Sequence, residues 1–337
     1  MSQSSERPLH EFDVAETEAG QRLDQRIASR FHSISRTRVQ ELIEAGLVLV
    51  NSRRAKGSHR LRRGEHITVE VQPRPPLRAE AESIPLDILY EDDDVIAINK
   101  PAGMTVHAGA GNPSGTLVNA LLGRGQELSQ GGDALRPGIV HRLDKGTSGV
   151  ILVAKNDAAH AKLGESFRQR EVKKTYIALL EGKFKEENGR IDLAIMRDPK
   201  RRTRMTARRS IVLGNAREAR TDWRTLARID DTTLVDVQLH TGRTHQIRVH
   251  FSALRHPVVG DTLYGAASQL HIGKTAIPPL SRNFLHAAKL GFAQPRTGSW
   301  IELRAPLPQV LREYLQHLSA AAGESPQRID AALAAYL

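Results

Sequence analysis

From Gln21 to Gln72 the apolar residues first recur at helical spacing and then alternate. The pattern predicts one helix from Arg22 to Phe31 and a second over "RTRVQELIEA", in which Val39, Leu42 and Ile43 share a face, Ser35 is the N-cap and Gly46 the stop. Two strand-like stretches follow, "LVLVN" and "HITVEV", separated by the basic loop "SRRAKGSHRLRRG". Four prolines then fall between Pro73 and Pro85, disfavouring helix and central strand alike and marking an extended linker. The expected organisation is a flexible amino terminus over 1–19, a small domain over 20–72, a linker over 73–84, a larger domain over 85–316 and a loosely attached helical tail over 317–337.

Beyond the linker the signals alternate without a strict strand–helix rhythm. Strands over "DVIAINK", "GVILVAKN" and "KTYIALLEG" are interleaved with helices over "TLVNALLGR" and "DAAHAKLGESFRQRE", the latter capped by Asp157. Further strands follow at "TDWRTLARI", "TLVDVQLH" and "SWIELRAP". This order predicts an α+β domain with a mixed, mostly antiparallel sheet and flanking helices, preceded by the small α/β unit.

Composition narrows the chemistry. At 337 residues and 39% apolar, the chain can build one sizeable core and an accessory domain. It has no cysteine, which excludes disulfides, thiolate nucleophiles and cysteine-ligated metal sites. The opening "MSQSSERPLHEFDV" lacks the apolar core of a signal peptide, and the aliphatic run at Val150 to Ala154 is far short of the roughly 20 residues a membrane span requires, so a cytoplasmic protein without membrane association is expected. Net charge is +11, and it is concentrated: residues 20–72 carry +6 and residues 197–220 carry +7, leaving the remainder slightly acidic. Such clustering suits a polyanionic partner, with nucleic acid the first expectation.

Several catalytic signatures nearly occur and fail on one position. "GKT" at Gly273 to Thr275 lacks the glycine a phosphate loop needs at 268, where Ser268 stands, and "GTSGV" lacks the second glycine of a nucleophile elbow, where Val150 stands. No His-Glu-x-x-His pair and no dinucleotide fingerprint is present. Arg-Leu-Asp occurs twice. Asp24 lies in the first turn of a predicted helix, where an acid favours the helix dipole, and is read as structural. Asp144 lies in "HRLDKGTSGVILVAKN", where Gly146 and Gly149 permit a tight turn that leaves the acid projecting at a strand's edge or merely closing its own turn. In "LHTGRTHQIRVHFSALRHPVVGDTLYG", Arg243 precedes a helix start at Thr244, a favourable place for an anion, and could pair with Asp144 or with a phosphate. Tyr176 in "VKKTYIALLEG" sits on a strand with alternating faces, where packing and function are both open.

Together "HRLDKGTSGVILVAKN", "KKTYIALLEG", "LHTGRTHQIRVHF" with "GDTLYG", and "LDILYEDDDVIAINKPAGMTVHAGAGN" resemble the RluA-type pseudouridine synthases, particularly the large-subunit ribosomal RNA (RluD-like) branch, from about residue 20 to 310. The amino-terminal segment resembles the S4-like RNA-binding domain that this branch carries. The resemblance implies that Asp144 is the essential catalytic aspartate, that Arg142 helps to hold the target base out of its stack, that Tyr176 stacks on that base and can serve as a proton acceptor, and that Arg243 is the ion-pair partner of Asp144. Ser35, Arg36, Arg38, Arg53, Arg54 and Lys56 are the expected RNA contacts of the small domain. Val150 stands where a leucine is usual and Ala108 where proline is common, and the basic insert "RDPKRRTRMTARR" is only loosely like the family.

Pseudouridine formation breaks the glycosidic bond of a uridine in RNA, turns the uracil and rejoins it through carbon, so the nucleotide must be flipped out. An ionised carboxylate beside the sugar can attack or can stabilise positive charge developing there, and both roles stay open for Asp144. No redox change or group transfer occurs, so no cofactor and no metal is expected. The expected partner is RNA, from the large ribosomal subunit or its precursor particles, and a monomer is expected. A synthase acting on transfer RNA and a non-catalytic ribosome-assembly factor are the competing readings.

Overall fold

The computed structural model describes residues 9–31, 36–71, 80–109, 112–129, 136–201, 203–209 and 215–336. The chain forms two compact units, Met1–Leu77 and Arg78–Leu337.

The first unit comprises β1 (Leu9–Asp13), α1 (Leu23–Arg30), α2 (Arg36–Glu44), β2 (Val48–Val50), β3 (Arg53–Arg54) and β4 (His66–Glu70). Its four strands form an antiparallel sheet in the order β1-β4-β2-β3. One small core holds it together, with Leu23, Ile27, Val39, Leu42, Val48, Ile67 and Val69 fully or nearly fully buried. The expectation of a flexible segment over 1–19 is corrected for residues 9–19, because β1 pairs with β4 along its full length and Phe12 and Val14 enter the core. Within the strand only Leu9 and Phe12 are apolar, and Leu9 is exposed, so no alternation can be read. Ser35 lies outside the described residues.

The second unit contains β5 (Ile88–Glu91), β6 (Val95–Lys100), α3 (Leu117–Gly123), β7 (Ser148–Ala154), α4 (Asp157–Arg168), β8 (Lys173–Glu181), β9 (Asn188–Asp192), β10 (Ala194–Arg197), β11 (Met205–Arg208), β12 (Arg220–Ile229), β13 (Thr232–Leu239), α5 (Gln246–Ala253), β14 (His271–Ile272), β15 (Thr275–Ala276), β16 (Leu285–Ala293), β17 (Trp300–Arg304), α6 (Gln309–Ala321) and α7 (Pro326–Leu333). Nine strands form one sheet, β5-β6-β7-β16-β8-β13-β12-β9, with β17 beside the second half of β16. The sheet is mixed and mostly antiparallel, the pairing of β7 with β16 being parallel. The helix over Asp157–Arg168 is capped by Asn156 rather than Asp157: the Asn156 side chain accepts the Ala159 N–H at 2.9 Å.

Two features escape the hydrophobic pattern. β16, "LHAAKLGFA", is central yet holds no β-branched residue, so strand propensity does not reveal it; burial on both faces does. The carboxy terminus is docked, not loosely attached. Ile329, Leu333 and Tyr336 lie in the main core, and the Tyr336 hydroxyl donates to buried Asp236 on β13.

Candidate active site

Asp144 stands in the segment that leads into β7. The Thr147 N–H donates to the Asp144 carbonyl at 3.0 Å, closing a turn, and the Gly103 N–H donates to the Lys145 carbonyl at 2.7 Å, tying that turn to the chain after β6. The glycines do different work from that expected. Gly146 is not in the left-handed region, whereas Gly149 adopts φ +116° inside β7, where a Cβ would come 2.2 Å from the Ala287 carbonyl oxygen of β16. Gly149 thus permits the close approach of β7, which follows Asp144 and Thr147, to β16, whose Leu285 lines the site.

The facing wall is the loop from β13 into α5. Buried Gln246 builds it: its Oε1 accepts from Thr241 Oγ1 at 2.6 Å and the Arg243 N–H at 3.1 Å, while its Nε2 donates to the Arg220 carbonyl and Thr221 Oγ1, each at 3.0 Å. With all four valences used, the amide pins the loop to β12. His245 caps α5 in a left-handed conformation, φ 57° and ψ 23°, and the helix begins at Gln246, two residues later than expected.

Arg142, Asp144, Tyr176 and Arg243 line one cavity of about 80 Å³, with Leu143, His245, Arg248 and Leu285 among the other walls. The fold therefore brings all four together. It does not pair them as the resemblance implied. The ion-pair partner of Asp144 is Arg248, whose Nη1 lies 3.4 Å from Oδ2, and His245 Nε2 lies 3.8 Å from Oδ1. Arg243 instead donates through Nε to the Glu218 carbonyl at 3.0 Å. Its charged neighbours are mostly cations: burial chiefly, then Arg217 and Arg170, hold its pKa below the usual arginine value. The reason is helical geometry. Arg243 precedes α5, whereas Arg248 lies on it three residues beyond His245, on the face turned towards Asp144.

Arg248 is itself held. Asp261, almost fully buried, accepts from its Nε and, at 2.8 Å, from its Nη2, leaving Nη1 for Asp144. Tyr264, three residues further on, bonds His245 Nδ1 at 2.7 Å and accepts the Met205 N–H of β11 at 2.9 Å. Tyr176 is 7% exposed on β8, between β16 and β13, and burial, reinforced by the Asp144 charge, pushes its hydroxyl well above the ordinary tyrosine range, so it remains a neutral phenol. Arg248, His245, Asp261 and Tyr264 were missed by sequence reasoning, although "THQIR" and "GDTLYG" carried them; helical spacing from His245 was the available signal.

A serine nucleophile finds no support here. Ser148 Oγ and His286 Nδ1 are 2.9 Å apart, but both residues are sealed in the core. Among the described residues no group of three or more histidine and carboxylate side chains is disposed to hold a metal, and no helix is long and apolar enough to cross a membrane.

In the small unit, Arg53, Arg54 and Lys56 are exposed and border a groove of about 720 Å³ with Asn51, Ser58 and His59. Arg36 and Arg38 belong to α2. Asp24, the twin of Asp144, is buried and receives both Nε and Nη2 of Arg22 at 3.0 Å.

The pattern of the RNA pseudouridylate synthase family matches residues 94–253, and that of the S4 domain residues 21–67. An uncharacterized RNA pseudouridine synthase of Bacillus subtilis (strain 168) is 40% identical over 312 residues, 92% of this chain and 99% of the relative. A protein of Xanthomonas campestris named ribosomal large subunit pseudouridine synthase D is 40% identical over 340 residues, 97% and 100% of the two chains. Among solved structures, human RNA pseudouridylate synthase domain containing 1 superposes with a TM-score of 0.52 at 30% identity, over 71% of this chain and 97% of that one. With the fold and these likenesses in agreement, the chain belongs to the RNA pseudouridine synthase family, an isomerase with an S4 domain ahead of its catalytic unit.

Proposed function

We propose that the enzyme isomerises specific uridines of large-subunit ribosomal RNA, by flipping the target nucleotide and using Asp144 as the catalytic carboxylate. The observation that carries this reading is the setting of that carboxylate: 17% exposed, at the wall of a cavity that also contains Tyr176, and held by a guanidinium that Asp261 keeps in place. The Arg248 guanidinium complements a carboxylate that carries its charge, the form required beside a sugar carbon losing its base. Several relatives of similar length bear the name ribosomal large subunit pseudouridine synthase D, which supports the choice of RNA.

In this reading exposed Arg142 enters the space the flipped base vacates, and Tyr176 offers its ring to the base. Arg243, with Arg217 and Arg170 nearby, suits a phosphate of the RNA better than a carboxylate of the protein. The small unit, through Arg53, Arg54 and Lys56, adds phosphate contacts of its own. RNA binding by the small unit and chemistry by the larger one are proposed to divide between Met1–Leu77 and Arg78–Leu337, since β1 and the carboxy-terminal helix lie outside the expected limits 20–72 and 85–316.

Mapping pseudouridines in ribosomal and transfer RNA from cells with and without the gene tests the proposal, with reconstitution by purified protein. Sites lost from large-subunit RNA and restored by wild type but not by Asp144→Asn are expected. Losses confined to transfer RNA would overturn the substrate assignment.

A further inference from the structure

Asp144 has two donors beside it, and only one is a permanent cation. Arg248 Nη1 faces Oδ2 and His245 Nε2 faces Oδ1, at 3.4 and 3.8 Å. What the imidazole presents there is decided on its far side, where Nδ1 lies 2.7 Å from the Tyr264 hydroxyl oxygen. That oxygen already accepts the Met205 backbone N–H. A neutral imidazole carries one N–H. Placed on Nδ1, the proton would leave a lone pair on Nε2 pointing at a carboxylate, which is repulsive. Placed on Nε2, it points towards Oδ1, and Tyr264 donates its own proton to Nδ1 while its oxygen accepts from Met205, so Nδ1 and the hydroxyl are both satisfied.

The groups around the ring oppose one another. Burial is the largest influence and lowers the His245 pKa; Asp144 and Asp261 raise it, Arg248 and Arg142 lower it, and the net direction is below the ordinary imidazole value. Tyr264 is buried, its ring flanked by the guanidinium groups of Arg248 at 4.9 Å and Arg204 at 5.2 Å, and burial keeps it a phenol. His245 also holds a left-handed backbone that bulky residues rarely adopt, fixed by the four hydrogen bonds of Gln246 next to it.

We propose that His245 is a positioning residue for Asp144: Tyr264 locks its ring in the Nε2–H tautomer, so that a neutral N–H biases Oδ1 while Arg248 supplies the positive charge in contact with the carboxylate. The inference rests on the reading of Asp144 as the catalytic carboxylate. At 3.8 Å the Nε2–H is not hydrogen-bonded to Oδ1 but turns its dipole towards that oxygen, a weak electrostatic bias on the carboxylate, whereas an imidazolium there would draw Oδ1 into a second ion pair.

The test uses the full-length enzyme and ribosomal RNA from cells lacking the gene, with single-turnover pseudouridine formation followed from pH 5.5 to 9 and RNA affinity measured separately. Tyr264→Phe retains the ring between its two guanidinium neighbours and deletes the proton given to Nδ1; a rate lowered roughly 10- to 100-fold at unchanged affinity is expected. His245→Gln keeps an amide donor near the Nε2 position and His245→Leu does not, while both carry the same backbone strain. The glutamine variant should be at least tenfold faster, and its acid limb should move to lower pH than that of wild type. Tyr264→Phe at the wild-type rate, or equal rates for the glutamine and leucine variants, overturns the proposal. Should both histidine variants melt early, the tyrosine variant decides alone. Asp144→Asn runs in parallel: if it stays active, the catalytic reading itself fails, an outcome distinct from inert His245 and Tyr264 variants beside an inactive Asp144→Asn.

Discussion

Arg248 reaches Asp144 with a single guanidinium nitrogen, Nη1, while Asp261 occupies the opposite edge of the same group. A fork fixed on one side by a buried carboxylate cannot swing, so the distance from Nη1 to Asp144 is set by the packing of α5 and not by the flexibility of a long side chain. Lysine offers no such geometry.

Arg248→Lys and Arg248→Ala should therefore both lower the single-turnover rate, by 100-fold or more on the order of a broken buried pair, about 3 to 5 kcal/mol. Arg243→Ala should instead weaken RNA binding and flatten its salt dependence, with the rate at saturating RNA retained within a few-fold. A large loss of that saturated rate in Arg243→Ala would return it to the chemistry.

Asp144→Asn should abolish pseudouridine formation while RNA affinity and the melting temperature stay close to wild type. Its twin gives the reverse. Asp24→Asn weakens a buried bidentate pair with Arg22, so a stability loss of about 1 to 3 kcal/mol with activity within a few-fold is expected from denaturation and rate measurements.

Buried His286 and partly buried His141 set an acid limit on stability. Burial first of all lowers His286 to about 4 and His141 to about 3, and the Leu152 N–H donates to His141 Nε2, which needs that nitrogen unprotonated. Both pKa values are depressed on folding, so between those values and about 6.5 the unfolded chain binds protons that the folded chain does not. Stability should be full above pH 6.5 and fall by up to about 1.4 kcal/mol per pH unit per histidine below it. Urea titrations of wild type and His286→Gln from pH 4.5 to 7.5 measure the slope, and an identical slope in both would exclude His286 as a source.

Leu333→Ala and Ile329→Ala should each cost about 2 to 5 kcal/mol, because both side chains lie in the main core. A freely attached tail would show no change in the thermal melt.

In the small unit, replacing Arg53, Arg54 and Lys56 with alanine should reduce the slope of log affinity against log salt by roughly 0.7 to 0.9 for every phosphate that is no longer neutralised, with the rate at saturating RNA preserved. An unchanged slope would remove this groove from the RNA-binding surface.

Local patterns were legible wherever neighbours in sequence are also neighbours in the physics. Helical spacing located α1, α3 and α4, alternation located β8, β12 and β13, and the proline cluster marked the region near the divide between the two units. Asp144 stood out because an acid among cations next to glycines is odd on its own terms, and Tyr176 and Arg243 do line its cavity. The partner of Asp144 was not legible, since 104 residues separate it from Arg248 and a choice between Arg243 and Arg248 depends on where α5 begins. β16 was hidden because alanine and glycine carry little strand signal, and its place between β7 and β8 follows from burial on two faces. The tautomer of His245, the hold of Asp261 on Arg248 and the docking of Tyr336 all depend on side chains from separate elements meeting at hydrogen-bond distance. Such contacts form only when the sheet has closed, because their energies depend on a separation and an angle that no single stretch of chain contains.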